Sequence, residues 1–153
     1  MSDEPFTLDT NVLVYSVDRQ AGPRHEIAKD VVRRASLLQC HLTLQSISEF
    51  YAAVTRKRMM PLASAAQFAR DMIETFPTAA ASASAVRFAL TSAANGQASY
   101  WDALLIATAA EAGCATILTE DLADGTSLCG VKVVNPFGGN NLSVAAAALL
   151  AAD

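Results

Sequence analysis

Four carboxylates are placed where chemistry could be done. Asp9 follows the short apolar stretch Phe6-Thr7-Leu8, and Asp121 follows the run from Ala115 to Thr119. Each lies just past the carboxyl end of an expected buried strand, the edge at which open parallel sheets place their ligand crevice. Glu49, in Ser46-Ile47-Ser48-Glu49, and Asp102, in Ser99-Tyr100-Trp101-Asp102, each follow a serine by three residues, the pattern that caps and opens a helix. In an α/β fold such helices begin at the same edge, so both acids are expected in a first helical turn facing the crevice. Four acids separated in sequence by 40, 53 and 19 residues are thereby expected to converge. Gathered carboxylates repel and raise one another's pKa unless a cation joins them. No Lys or Arg lies within five residues of Asp9, Asp102 or Asp121 to serve as that cation.

An all-oxygen, hard-ligand cluster suits Mg²⁺ or Mn²⁺. The chemistry it implies is metal-assisted phosphodiester hydrolysis, in which a water is activated and aimed at phosphorus without a covalent protein intermediate. The hydroxyls of Thr10 and Thr119 and the amide of Asn11 are candidates for holding carboxylates or waters in place. Each acid also has a plainer explanation. Glu49 and Asp102 fit helix caps, Asp9 fits the cap of the following helix, and Asp121 shares a polar turn with Glu120 and Asp124 in which acids are ordinarily solvated. Arg56-Lys57-Arg58 reads either as a cationic helix end favoured by the macrodipole or as a phosphate-binding cluster. Tyr100 and Trp101 read either as a staple at a helix start or as a stacking platform for a base. Arg33 and Arg34 are assigned to a solvated helix face, and His25, His41 and the cysteines to structure.

The elements that must position these groups follow from periodicity. Strands are expected at 6–9, about 40–44, 115–119 and 131–134. Helices are expected from Thr10 onward, over 24–39 with the stripe Ile27, Val31, Ala35 and Leu38, from Ser46 to about Arg58, over 62–75 and 83–94, from Ser99 to Gly113, and over 142–151. Apolar, barely alternating strands separated by helices predict a three-layer α/β/α sandwich around a central, mostly parallel sheet. With 153 residues, 52% hydrophobic and 17% charged, the chain has the size and apolar content of one globular domain spanning 1–153, and disorder is excluded as its main state.

The formal net charge is -4, which by itself speaks against a protein that simply coats nucleic acid. That total hides an asymmetry. Residues 1–70 carry nine basic and seven acidic side chains, a net of +2, while 71–153 carry two and eight, a net of -6. Setting aside the four candidate ligands takes the whole chain to neutrality. Three cysteines, with no C-x-x-C and only two histidines to join them, indicate neither a disulfide framework nor a zinc site, and a reducing cytoplasm is the expected compartment. The longest clean apolar run, Val144 to Ala152, has nine residues against the roughly 20 needed to span a bilayer, so no membrane role and no export signal are expected.

Four ordered segments carry a further resemblance: Thr7-Leu8-Asp9-Thr10-Asn11-Val12-Leu13-Val14-Tyr15, Ser48-Glu49-Phe50, Trp101-Asp102-Ala103-Leu104-Leu105-Ile106-Ala107 and Leu118-Thr119-Glu120-Asp121-Leu122. Together they resemble the motifs of PIN domains, most closely the VapC-type toxins of bacterial toxin–antitoxin pairs, and Val133-Val134-Asn135-Pro136-Phe137 is similar to the last strand of one branch of that family. The resemblance implies a Mg²⁺- or Mn²⁺-dependent endoribonuclease that dimerises and is inhibited by a cognate antitoxin covering its acidic pocket. It implies acidic metal ligands at Asp9, Glu49, Asp102 and Asp121 and a supporting hydroxyl at Thr119, with Asp124 as a substitute for or aid to Asp121. Two other functions compete. One is phosphotransfer through an aspartyl-phosphate on Asp9, disfavoured because such folds resemble Asp-x-Asp and the third position here is Asn11. The other is a non-catalytic PIN-like scaffold, which a lost acid would have favoured, and none of the four is missing.

Overall fold

The computed structural model of the chain describes residues 4–151. Its central sheet is built from β1 (Phe6–Leu8), β4 (Thr116–Leu118), β6 (Val131–Val134) and β5 (Ser127–Leu128), hydrogen-bonded in the order β1-β4-β6-β5. β1, β4 and β6 run parallel, and only β5 is antiparallel to its neighbour. A second parallel pair, β2 (Leu42–Thr43) with β3 (Thr78–Ala79), extends the sheet past the free edge of β1 through a bridge between Phe6 and Cys40. There the Phe6 amide donates to the Gln39 carbonyl at 3.0 Å and the His41 amide to the Phe6 carbonyl at 2.9 Å.

Helices cover both faces, as the apolar strands require. Leu8, Leu118 and Val134 point into a core formed with α1 (Thr10–Tyr15), α2 (Pro23–Ala35), α3 (Leu44–Arg56), α4 (Leu62–Thr75) and α7 (Val144–Leu150). Ile117, Val131 and Val133 point the other way, onto Leu105 and Ile106 of α6 (Tyr100–Glu111). The opposite side of α6 packs through Ala103, Leu104 and Ala107 onto Ala85 and Ala89 of α5 (Ala83–Ala94). That double contact is why α6 is buried all round from Ala103 to Ala109 instead of carrying a stripe. The expected three-layer sandwich is thus what the chain forms. Among the described residues, no helix is long and apolar enough to cross a membrane.

One boundary differs in a way that matters for the site. The helix expected to open at Ser46 begins at Leu44, capped by Thr43, whose hydroxyl accepts from the Ser46 amide at 3.1 Å. Ser46 is a buried third residue of that helix and not its cap. Glu49 therefore lies in the second turn, out of reach of any capping box, and the cap explanation for this acid falls away. The two-residue strands β3, β5, β7 (Phe137–Gly138) and β8 (Asn141–Leu142), and a 3-10 turn at Arg19–Ala21, were not expected. Two residues are too few to express a periodicity.

Candidate active site

At the carboxyl edge of β1 and β4 lies an open cavity of about 480 Å³, and Asp9, Glu49, Asp102 and Asp121 all line it, with Thr10, Asn11, Tyr15, Arg56 and Lys57. Each acid comes from a different element. Asp9 ends β1 and caps α1, its Oδ1 accepting from the Thr10 amide at 2.7 Å. Glu49 projects from α3. Asp102 is the third residue of α6, its amide donating to the Ser99 hydroxyl at 3.2 Å in half of the expected capping box. Asp121 is held in the turn after β4.

Thr119 is the hub of this arrangement. It is fully buried, and its hydroxyl donates to Asp9 Oδ2 at 2.7 Å while accepting from Asn11 Nδ2 at 3.2 Å and from the Asp121 amide at 3.1 Å. One hydroxyl thus fixes the end of β1, the start of α1 and the turn after β4. Thr10 does the same for α3, its hydroxyl donating to Glu49 Oε2 at 2.9 Å. The supporting positions expected for Thr10, Asn11 and Thr119 are therefore occupied by hydrogen bonds to the acids or to one another.

The three acids of the last turn separate cleanly. Glu120 is engaged elsewhere: Tyr15 donates its hydroxyl to it, and Arg24 donates Nε to its Oε2 at 2.9 Å. The Arg24 guanidinium also lies over the rings of Tyr15 and Phe137, 5.9 and 5.6 Å from their centroids. The hydrogen bond to Glu120 pushes the Tyr15 hydroxyl up to about 12. Asp124 does not line the cavity, and its Oδ1 accepts from the Asn135 amide at 2.8 Å, tying the turn to the end of β6. Asp121 alone of the three faces the cavity.

Electrostatically the cavity is short of cations. Asp9 is only 6% exposed, and its burial pushes its carboxyl up to about 6 despite the hydrogen bonds from Thr119 and Thr10, with the charges of Asp121 and Asp102 pushing the same way. Among the described residues none of the four acids has an ion-pair partner. Arg56 and Lys57 stand on the cavity wall without pairing to them. Asn11, which lines the same cavity, has its side-chain Oδ1 buried with no hydrogen-bond partner among the described residues. This donor set, carboxylates with an orphaned amide oxygen, fits a hard divalent cation. Among the described residues no three His, Cys, Asp or Glu side chains are drawn close enough to hold an ion together. The Glu49 carboxylate is at present spent on Thr10 and on Gln45, whose Nε2 donates to Oε1 at 3.2 Å and to the Trp101 carbonyl at 2.9 Å.

Gln45, Tyr15 and Arg24 were not singled out in the sequence. Their contacts cross 56, 105 and 96 residues, and no local pattern announces them. Of the expected basic cluster, Arg56 and Lys57 reach this cavity, whereas Arg58 turns into its neighbour. Trp101 is 60% exposed with its ring edge-on to Tyr100, so it does not serve as a buried staple.

Among solved structures, the chain is similar to VapC20 of Mycobacterium tuberculosis, described as a sarcin-ricin loop cleaving toxin, with a TM-score of 0.58 at 16% identity over 76% of this chain and 91% of that one. It is similar to a toxin–antitoxin complex from Klebsiella pneumoniae, with a TM-score of 0.60 at 20% identity over 86% and 97%. It is also similar to VapBC2 of Rickettsia felis bound to a promoter DNA fragment, with a TM-score of 0.58 at 13% identity over 84% and 96%. No curated protein matches the sequence. At such identities the structural likeness speaks for the fold alone. The family's sequence profile, described as PIN domain, matches residues 6–123, a span that runs from the first residue of β1 through the turn carrying Asp121 and so takes in all four acids. On that match the chain belongs to the PIN domain family.

Proposed function

We propose that this protein, as a single PIN domain over 1–153, is a metal-dependent endoribonuclease and the toxin of a toxin–antitoxin pair. The observation that carries the reading is the convergence of four acids from four elements on one cavity with, among the described residues, no protein cation paired to them. Asp9, Glu49, Asp102 and Asp121 would hold Mg²⁺ or Mn²⁺, which when bound supplies an activated water and neutralises charge on the phosphate. Thr119 orients the Asp9 carboxylate and anchors the backbone of the turn that carries Asp121, and Thr10 orients Glu49. Arg56 and Lys57 draw the phosphodiester to the rim of a cavity that would otherwise repel it. In this hydrolysis water would add to phosphorus as one P–O bond breaks, the departing oxygen taking up a proton in place of the one the water gives up to solvent, and no bond to the protein forms.

The similarity to a toxin–antitoxin complex and to VapBC2 supports an antitoxin partner; we extend the proposal to that partner covering the acidic pocket, to a homodimer and to action in the cytoplasm. Incubation with single-stranded RNA in EDTA, followed by addition of Mg²⁺ or Mn²⁺, tests the reading. Cleavage is expected only after the ion is added, and cleavage that proceeds in EDTA overturns metal dependence. Co-expression with the protein encoded beside this gene is expected to abolish that activity.

A further inference from the structure

A second, larger cavity of about 730 Å³ adjoins the acidic one, and Lys57 and Asp18 line both. Its charge is of opposite sign. Arg19 of the 3-10 turn, His25 and Lys29 of α2, and Lys57 and Arg58 at the end of α3 all line it. Its single acid, Asp18, is already engaged, accepting from the Gln20 amide at 3.1 Å. Among the described residues Arg19, Lys57 and Arg58 have no ion-pair partner, and Lys29 has only Glu26 at 3.4 Å. The macrodipole at the end of α3 accounts for cations on that helix, but not for Arg19 and Lys29, which reach the same cavity from the 3-10 turn and from α2.

The backbone at Arg58 supplies a separate sign. The helix closes with the Arg58 amide on the Thr55 carbonyl at 3.1 Å and the Met59 amide on the Val54 carbonyl at 2.9 Å, which puts Arg58 in the left-handed region at φ 54°. That position ordinarily takes glycine. A bulky cation kept at a strained position, lining the same cavity as Arg19 and Lys57, which have no ion-pair partner among the described residues, points to a ligand outside the chain.

We infer that this cavity is a second RNA-binding site, taking backbone phosphates of the strand whose scissile phosphate lies over the acidic cavity, with Lys57 at the shared wall. The inference rests on the ribonuclease reading for the identity of the polyanion. It adds Arg19 and Lys29, and places Arg58 of the basic cluster with them, as residues that hold substrate without touching the reacting phosphate. A strand long enough to cross from one cavity to the next is then held more tightly than a short one.

The test uses the full chain carrying Asp9→Asn, so that RNA is bound without being cut, and a fluorescein-labelled single-stranded 12-nucleotide RNA titrated by anisotropy at several NaCl concentrations. Arg19→Ala, Lys29→Ala and Arg58→Gly are each expected to weaken binding roughly fivefold at about 0.1 M salt, and to lower the slope of log Kd against log[NaCl] by about 0.7 for each phosphate no longer neutralised. Arg87→Ala, on the exposed face of α5, is expected to leave both unchanged. Arg58→Gly is the discriminating variant, because it relieves the left-handed strain and its melting temperature is expected not to fall while its affinity does. With Asp9 restored, the same substitutions are expected to raise KM for the 12-mer, to leave kcat unchanged, and to spare a dinucleotide substrate.

Unchanged Kd and salt slope in Arg19→Ala and Lys29→Ala overturn the inference. So does competition by poly-glutamate equal to that by unlabelled RNA, which assigns the cavity to an acidic peptide. Loss of binding in these variants of a protein that cuts no RNA under any ion keeps the cavity and removes the ribonuclease reading.

Discussion

The acidic cavity is framed by hydrogen bonds, with Thr119 holding the buried Asp9 carboxylate and the backbone of Asp121 and Thr10 holding Glu49, whereas the basic cavity beside it gathers exposed cations with few partners. The first is organised by the fold and short of a counter-ion, and the second is loose and short of an anion. Adjacent sites of this kind divide labour: groups that must meet a reacting atom within a fraction of an ångström need a rigid frame, while groups that retain a flexible polyanion need only charge and proximity. Changes in the rigid cavity should therefore act on the rate of cleavage, and changes in the loose one on binding.

The largest effects should come from the acids. Asp102→Asn or Asp121→Asn is expected to lower kcat by more than the roughly 100-fold that bounds the loss of a supporting partner, with KM little changed. A rise in KM at constant kcat would erase the distinction between the cavities. Asp9 carries a further expectation for the protein in EDTA. Its carboxyl titrates at about 6 in the folded chain against 3.8 for a free side chain, so between those values the folded state holds more protons than the unfolded one. The contribution of Asp9 to stability is then greatest below about 4, falls as pH rises towards 6, and stays lowered by on the order of 3 kcal/mol at neutral pH. Asp9→Asn should recover much of that at pH 7 and flatten the profile, which urea unfolding at pH 4 and pH 7 would measure. Parallel profiles for the two proteins would contradict the burial that sets this value.

Thr119→Val removes the hub without removing an acid. A loss of about 10–100-fold in cleavage is expected, together with about 1–3 kcal/mol of stability from the buried groups left unpaired. Thr119→Ser, which keeps the hydroxyl, should restore most of both. Smallest is Arg56→Ala at the rim, expected to raise KM a few-fold and to lower the salt slope by about 0.7, with kcat intact.

What could be read from the sequence follows how local the cause is. An apolar strand ending in a carboxylate needs only three residues of context, so Asp9 and the strand Phe6–Leu8 were legible. Glu49 was legible as an acid of the site but for a local reason that is not the operative one, since its helix is capped by Thr43 and the serine three residues before it is buried. The role of Thr119 was visible only in part, because a hydroxyl that joins residues 110 positions apart leaves no periodic trace. The same is true of the Tyr15, Glu120 and Arg24 contacts that withdraw Glu120 from the turn, and of Arg19 and Lys29 lining one cavity with Lys57 and Arg58. The division of Glu120, Asp121 and Asp124 into three separate tasks is a product of packing alone.

The most direct measurement is the rate at which purified protein cuts a labelled single-stranded RNA with Mg²⁺ or Mn²⁺, for the unaltered chain and for Asp9→Asn, alongside circular dichroism of both. Cleavage by the first, none by the second and superimposable spectra are the predicted result. Undiminished cleavage by folded Asp9→Asn would contradict it.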